Sequence, residues 1–173
     1  NKQFMLRTAA SFVRTRMGLD GRPPLARQDL ELSAKGGALV IVGSHVPKTT
    51  AQLAYLIDQC NISAVEIDVA RLIDPDTCQN EIQRVGAAAD TCLKGGRNVV
   101  VSTSRKLIFD ENEQKNIDIG QKISLGLTQV IEHLSGRPKF ILAKGGITSS
   151  DIATKSLRIK RAVASELTAR SRR

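Results

Sequence analysis

Tryptophan is absent from this chain, tyrosine occurs once and phenylalanine four times in 173 residues. So few rings leave little for stacking the bases of single-stranded nucleic acid. A formal net charge of +9 still invites a nucleic-acid reading, so its placement decides. Residues 1–36 carry seven basic and three acidic groups, and residues 144–173 carry eight and two; the long middle carries eleven and twelve. The excess sits at the two ends of the sequence and follows no helix or repeat, which argues against nucleic acid as the main partner. Cysteine is scarce too. Cys60, Cys78 and Cys92 are odd in number and form no C-x-x-C pair, so neither a zinc site nor a disulfide framework is expected. Free thiols in a reducing cytoplasm are the better reading. No apolar run approaches the roughly 20 residues of a membrane span, and no secretory leader pattern stands at the start. No G-x-G-x-x-G follows any strand pattern, which sets aside a dinucleotide-binding oxidoreductase.

What is present is an alternation of strand and helix from Gly36 onward. Ala38–Val42 is an apolar, β-branched run, followed by Gly43-Ser44 and a helical pattern over Lys48–Cys60 with Pro47 as its start signal. Val65–Leu72 shows apolar residues at period two and predicts a second strand. Asp74-Pro75-Asp76 opens a long helix to about Leu93, closed by Gly95-Gly96. Asn98–Val101 predicts the third strand, and Asn116–Leu134 a helix with Ile119, Ile123, Leu127, Val130 and Ile131 on one stripe, capped by Gly136. Phe140–Ala143 predicts the fourth strand. Strands separated by such helices imply parallel crossovers, so the expected fold is α/β, a three-layer sandwich with a mainly parallel sheet flanked by helices.

Three of these strands end in related chemistry: Gly43-Ser44, then Ser102-Thr103-Ser104-Arg105, then Gly145-Gly146 before Thr148-Ser149-Ser150. In a parallel sheet these tips share one edge, where ligands collect. Glycines admit close backbone approach, and a hydroxyl-rich helix start offers N–H groups and a positive dipole end to an anion. A phosphate-containing ligand follows as the expectation. The segment Gly43–Thr50 is not a P-loop, because Pro47 precedes Lys48 and the glycine spacing is wrong. Lys48 and Thr49 are either phosphate contacts or an ordinary helix start. Lys144 and Arg105 are either anion ligands or solvated strand-end cations. His45 is more simply a loop residue than a base, since the sequence sets no carboxylate or nucleophile beside it. Asp151 is either a Mg²⁺ ligand or a first-turn acid favoured by the helix dipole.

The residues Ile41–Leu53 (IVGSHVPKTTAQL) and Lys144–Thr154 (KGGITSSDIAT) resemble two signatures of the nucleotide-binding domain of the four-carbon acid sugar kinases. Phe4–Gly18 resembles that family's interdomain segment, and Thr103-Ser104-Arg105 fits its third strand end. The resemblance implies an ATP-dependent phosphotransferase. A separate N-terminal domain would bind threonate, erythronate or an oxo-tetronate, and Mg-ATP would bind here. It implies ATP contacts at Ser44 and at Gly145, Gly146, Ile147, Thr148 and Ser149; the strand-end and helix-start chemistry adds Gly43, Lys48, Thr49, Ser104, Arg105 and Lys144 as candidate contacts. No resident metal ligand and no catalytic base are identified. The implied organisation is the end of a substrate domain plus linker over residues 1–35, a nucleotide-binding domain over 36–161 and a divergent or frayed tail over 162–173. Because Ala162–Arg173 departs from the family's closing strand and glycine-rich loop, the expectation is an intact phosphate signature in an incomplete enzyme. The expected setting is cytoplasmic, with a homodimer among its possible assemblies. The alternative is a non-catalytic α/β module that binds nucleotide or phosphate.

Overall fold

The computed structural model describes residues 10–18, 30 and 35–162. The chain divides into two compact units, Leu32–Ala162 and a smaller one drawn from Asn1–Glu31 and Val163–Arg173. Of the smaller, the helix α1 (Ala10–Arg16) is described, with Phe12, Val13 and Met17 exposed. Most of the segments expected as interdomain linker and tail lie outside the described residues.

The larger unit begins with β1 (Leu39–Val42), whose four apolar side chains are all buried. A β-branched run buried on both faces is what a central parallel strand requires. Pro47 occupies the first position of α2 (Pro47–Gln59), where its missing N–H costs nothing. β2 (Ile62–Ile67) comes next, then the short α3 (Val69–Ile73) and the long α4 (Cys78–Lys94). β3 (Asn98–Thr103), α5 (Glu113–Glu132), β4 (Ile141–Lys144) and α6 (Gly146–Asp151) complete the order, and α6 runs directly into a π turn over Ile152–Ser156.

All pairings are parallel, in the order β2-β3-β1-β4. Side chains alternate between the faces. Leu39 and Ile41 join Val99 and Val101 in the larger core, with Ile82, Val85 and Leu127 from α4 and α5. Val40, Val42 and Val100 point the other way, onto Leu53 of α2. The expected α/β sandwich is therefore present: a four-stranded, all-parallel sheet between two helical layers.

Several boundaries differ from the sequence expectation, each for a local reason. The second strand starts earlier and stops at Ile67, because Asp68 accepts hydrogen bonds from the N–H groups of Ala70 and Arg71 and starts α3. Residues 69–72 are thus helix, not strand. Asp74-Pro75-Asp76 does not open α4. The Asp74 carboxylate accepts from Asp76 N at 2.9 Å, a local turn that defers the helix to Cys78. Asn112 caps α5 through the N–H groups of Gln114 and Lys115, which places its start before Asn116. The helix ends at Glu132, with His133 and not Gly136 as its C-cap. As expected, Gly95 and Gly96 close α4, with Gly96 at φ +70°.

Asp90 ties α4 to the segment after α5. It pairs with Lys94 at 2.7 Å and accepts from the Ser135 N–H and hydroxyl. The Lys94 ammonium and the Ser135 donors lower its pKa from 3.8 to about 2. A carboxylate depressed in the folded state stabilises above its unfolded pKa, and that contribution fades as pH falls towards 2. Urea midpoints of the wild type and Asp90→Asn should therefore differ at pH 6 and converge as pH drops from 4 towards 2. A constant gap across that range would contradict the pairing.

Candidate functional site

The parallel register sets Val42 opposite both Ser102 and Lys144, so three strand tips leave the sheet at one edge. Gly43 packs directly beneath Thr148 of α6. A Cβ at Gly43 would collide with Thr148 Oγ1 and stand 3.0 Å from Leu127 Cδ1. Gly145 has φ +119°, a backbone conformation that L side chains rarely adopt. A Cβ there would lie 3.6 Å from Ser44 Cβ and 3.4 Å from Thr148 Oγ1. The first and fourth tips are thus pressed against each other through glycine and hydroxyl contacts.

Above them lies a cleft of about 320 Å³. Gly43, Ser44 and His45 form one wall, and Gly145, Gly146, Ile147 and Thr148 form another. Gly120, Ile123 and Ser124 of α5 close the third side. N–H groups of a first helical turn have no carbonyl partner within their own helix, and here that turn begins at Gly146 beside the cleft.

The third tip serves as a strut. Arg105 donates to the Ser44 carbonyl at 2.8 Å, to the Thr103 carbonyl at 2.9 and 2.7 Å, and to the Thr103 hydroxyl at 2.7 Å. Burial lowers the pKa of this guanidinium. Its donors are directed at the protein's own backbone, bracing the β1 tip against β3. Ser104 accepts from Val69 N through its hydroxyl, and its N–H donates to Ile67 O. His45 Nε2 lies 2.9 Å from the Ser104 carbonyl. A carbonyl only accepts, so that nitrogen carries the proton.

Of the twelve residues proposed from sequence, six line this cleft: Gly43, Ser44, Gly145, Gly146, Ile147 and Thr148. Ser149 sits just behind, its hydroxyl donating to Gly146 O. Lys48 is exposed in the first turn of α2. Thr49 and Lys144 line a different cleft of about 270 Å³, with Val40, Val42, Leu53 and Leu142 on the α2 side of the sheet. Lys144 pairs in register with Val42, which belongs to that face.

Asp151 is not in a first turn, since α6 begins at Gly146 and carries no acidic residue there. Its carboxylate accepts from the Ser124 hydroxyl at 2.5 Å and pairs with Lys155 at 3.0 Å. Those partners, Ser124 first, hold its pKa below the usual range. Among the described residues no group of three His, Cys, Asp or Glu is placed to hold a metal. Asp151 is thus tied to α5 through Ser124 and to Lys155. The α5 residues Gly120, Ile123 and Ser124 were not expected at the site, Ile123 being read only as part of the helix's apolar stripe. Their one signal is a glycine inside a helical pattern.

A family model described as "Nucleotide-binding C-terminal domain" matches residues 39–167. No curated protein matches the chain. The crystal structure of APE1195 is 14% identical over 75% of this chain and 98% of that one, with a TM-score of 0.29. A likeness that distant carries no argument.

Proposed function

This chain belongs to the nucleotide-binding C-terminal domain family, the domain of four-carbon acid sugar kinases, and from that premise we propose that its cleft binds ATP. The observation that supports this is the cleft where the β1 and β4 tips meet: Gly43 and Gly145 let those tips pack closely against Thr148, and Gly146 faces open space, where phosphate oxygens can approach the backbone. Ser44 and Thr148 offer hydroxyls there, and the α6 start offers N–H groups. Arg105 holds the Ser44 carbonyl and so sets the β1 tip in place.

In the finer reading, the domain presents the γ-phosphoryl group to a four-carbon sugar acid held by a separate domain. The terminal hydroxyl oxygen forms a bond to phosphorus as the bond to the ADP oxygen breaks, and the hydroxyl proton passes to a base on the substrate side. Such transfer depends mostly on positioning and on neutralising charge; backbone N–H groups and hydroxyls would do the first here, and Mg²⁺ carried with the nucleotide would supply the second.

Titration calorimetry tests the binding step. ATP added to the full chain is expected to bind with a dissociation constant below about 1 mM. Absence of binding at that concentration overturns the reading. Binding without ADP release, when a four-carbon acid and the substrate domain are supplied, retains the nucleotide module and removes the kinase.

A further inference from the structure

The phosphate cleft does not end at α5. A second cleft of about 250 Å³ shares His45, Gly120 and Ile123 with it and continues beneath the segment after β3. Its side chains are larger. Leu107, Phe109 and Ile119 make its walls predominantly apolar, and Leu107 and Phe109 remain 65% and 73% exposed beside it. Its one amide side chain, Asn116, is committed, accepting from Asp110 N at 2.8 Å and donating to Asp110 O at 2.7 Å. A glycine-rich cleft with the Ser44, Ser124 and Thr148 side chains on its walls thus opens into one walled by larger apolar side chains and carrying an exposed ring.

Gly120 stands where the two meet. It lies inside α5, where glycine is the least favourable residue after proline. Packing does not demand it, because a Cβ there would meet nothing within 4 Å. Its conformation does not demand it either, since its φ is not positive. A glycine that costs helix stability without relieving a clash fits a place where a ligand passes close to the backbone.

We propose that the second cleft takes the base of the nucleotide, stacked by its face on Phe109, with the sugar crossing α5 at Gly120. This rests on the reading that the first cleft takes the phosphates. With Asn116 bonded to Asp110 and His45 Nε2 to the Ser104 carbonyl, recognition rests on ring face and apolar contact, a mode that tolerates any purine.

The test compares ATP with inorganic triphosphate on the wild type, Phe109→Ser and Gly120→Ala. Wild type is expected to bind ATP about tenfold more tightly than triphosphate. Phe109→Ser should remove that tenfold advantage, leaving triphosphate affinity and the thermal midpoint unchanged. Gly120→Ala should raise the midpoint by roughly 2–4 °C, as better helix propensity predicts, and yet weaken ATP several-fold. A glycine with only a structural role would not give those opposed signs. Triphosphate binding as tight as ATP, or ATP affinity unmoved in both variants, overturns the base site and leaves the phosphate reading intact. Failure of wild type to bind either ligand sinks the phosphate reading itself.

Discussion

Gly43→Ala is expected to lower ATP affinity at least about tenfold and to destabilise the fold by about 1–3 kcal/mol, the usual range for overpacking. The added methyl has no room to settle. Thr148 is 8% exposed and Leu127 is fully buried, so the collision cannot be relieved towards solvent. Either β1 or α6 must shift, and both carry the walls of the cleft. The cause can be isolated with a second substitution. Gly43→Ala with Thr148→Ala removes the hydroxyl that the methyl strikes, and the pair should be more stable than the sum of the single changes implies. Strict additivity in urea unfolding would show that the two residues do not press on each other.

Ile41→Ala should cost more, about 2–5 kcal/mol, because it empties the centre of the larger core. Ile41 is fully buried on β1, between Val101 of β3 and Ala143 of β4 in register. Leu142→Ala provides the contrast. That side chain is 48% exposed on the edge strand, and its loss should stay near 0.5 kcal/mol. Both are read as shifts of the urea midpoint at constant slope. Equal losses at the two positions would contradict the placement of β1 inside the sheet and β4 at its rim.

Much of this arrangement was legible in the residues themselves. Apolar, β-branched runs ending in glycine or hydroxyl groups identify β1, β3 and β4, and parallel topology brings their tips together. What the pattern does not encode is the face on which a strand-end residue lies. Lys144 stands beside Gly145 in sequence, yet its register partner Val42 puts it on the α2 side, with Thr49. Arg105 likewise reads as a free cation, and only the folded chain shows its guanidinium turned onto Ser44 and Thr103. VEIDVARL keeps period two through a strand-to-helix change because Asp68 switches the backbone with its side chain, a local bond that apolar spacing does not register. Ile119 and Ile123 lie on the α5 stripe as expected, but they border the clefts and only Leu127, Val130 and Ile131 are fully in the core. Gly120 needs the open space around it to be known before its presence becomes informative.

The central claim is that phosphate oxygens sit where the β1 and β4 tips meet, on the α5 side of the sheet. Backbone amide resonances followed during titration with ATP test it most directly. The largest shifts are expected at Gly43, Ser44 and Gly145–Thr148, saturating together with a single dissociation constant. Shifts concentrated instead at Thr49, Leu53 and Lys144 would place the ligand on the α2 face and contradict the account.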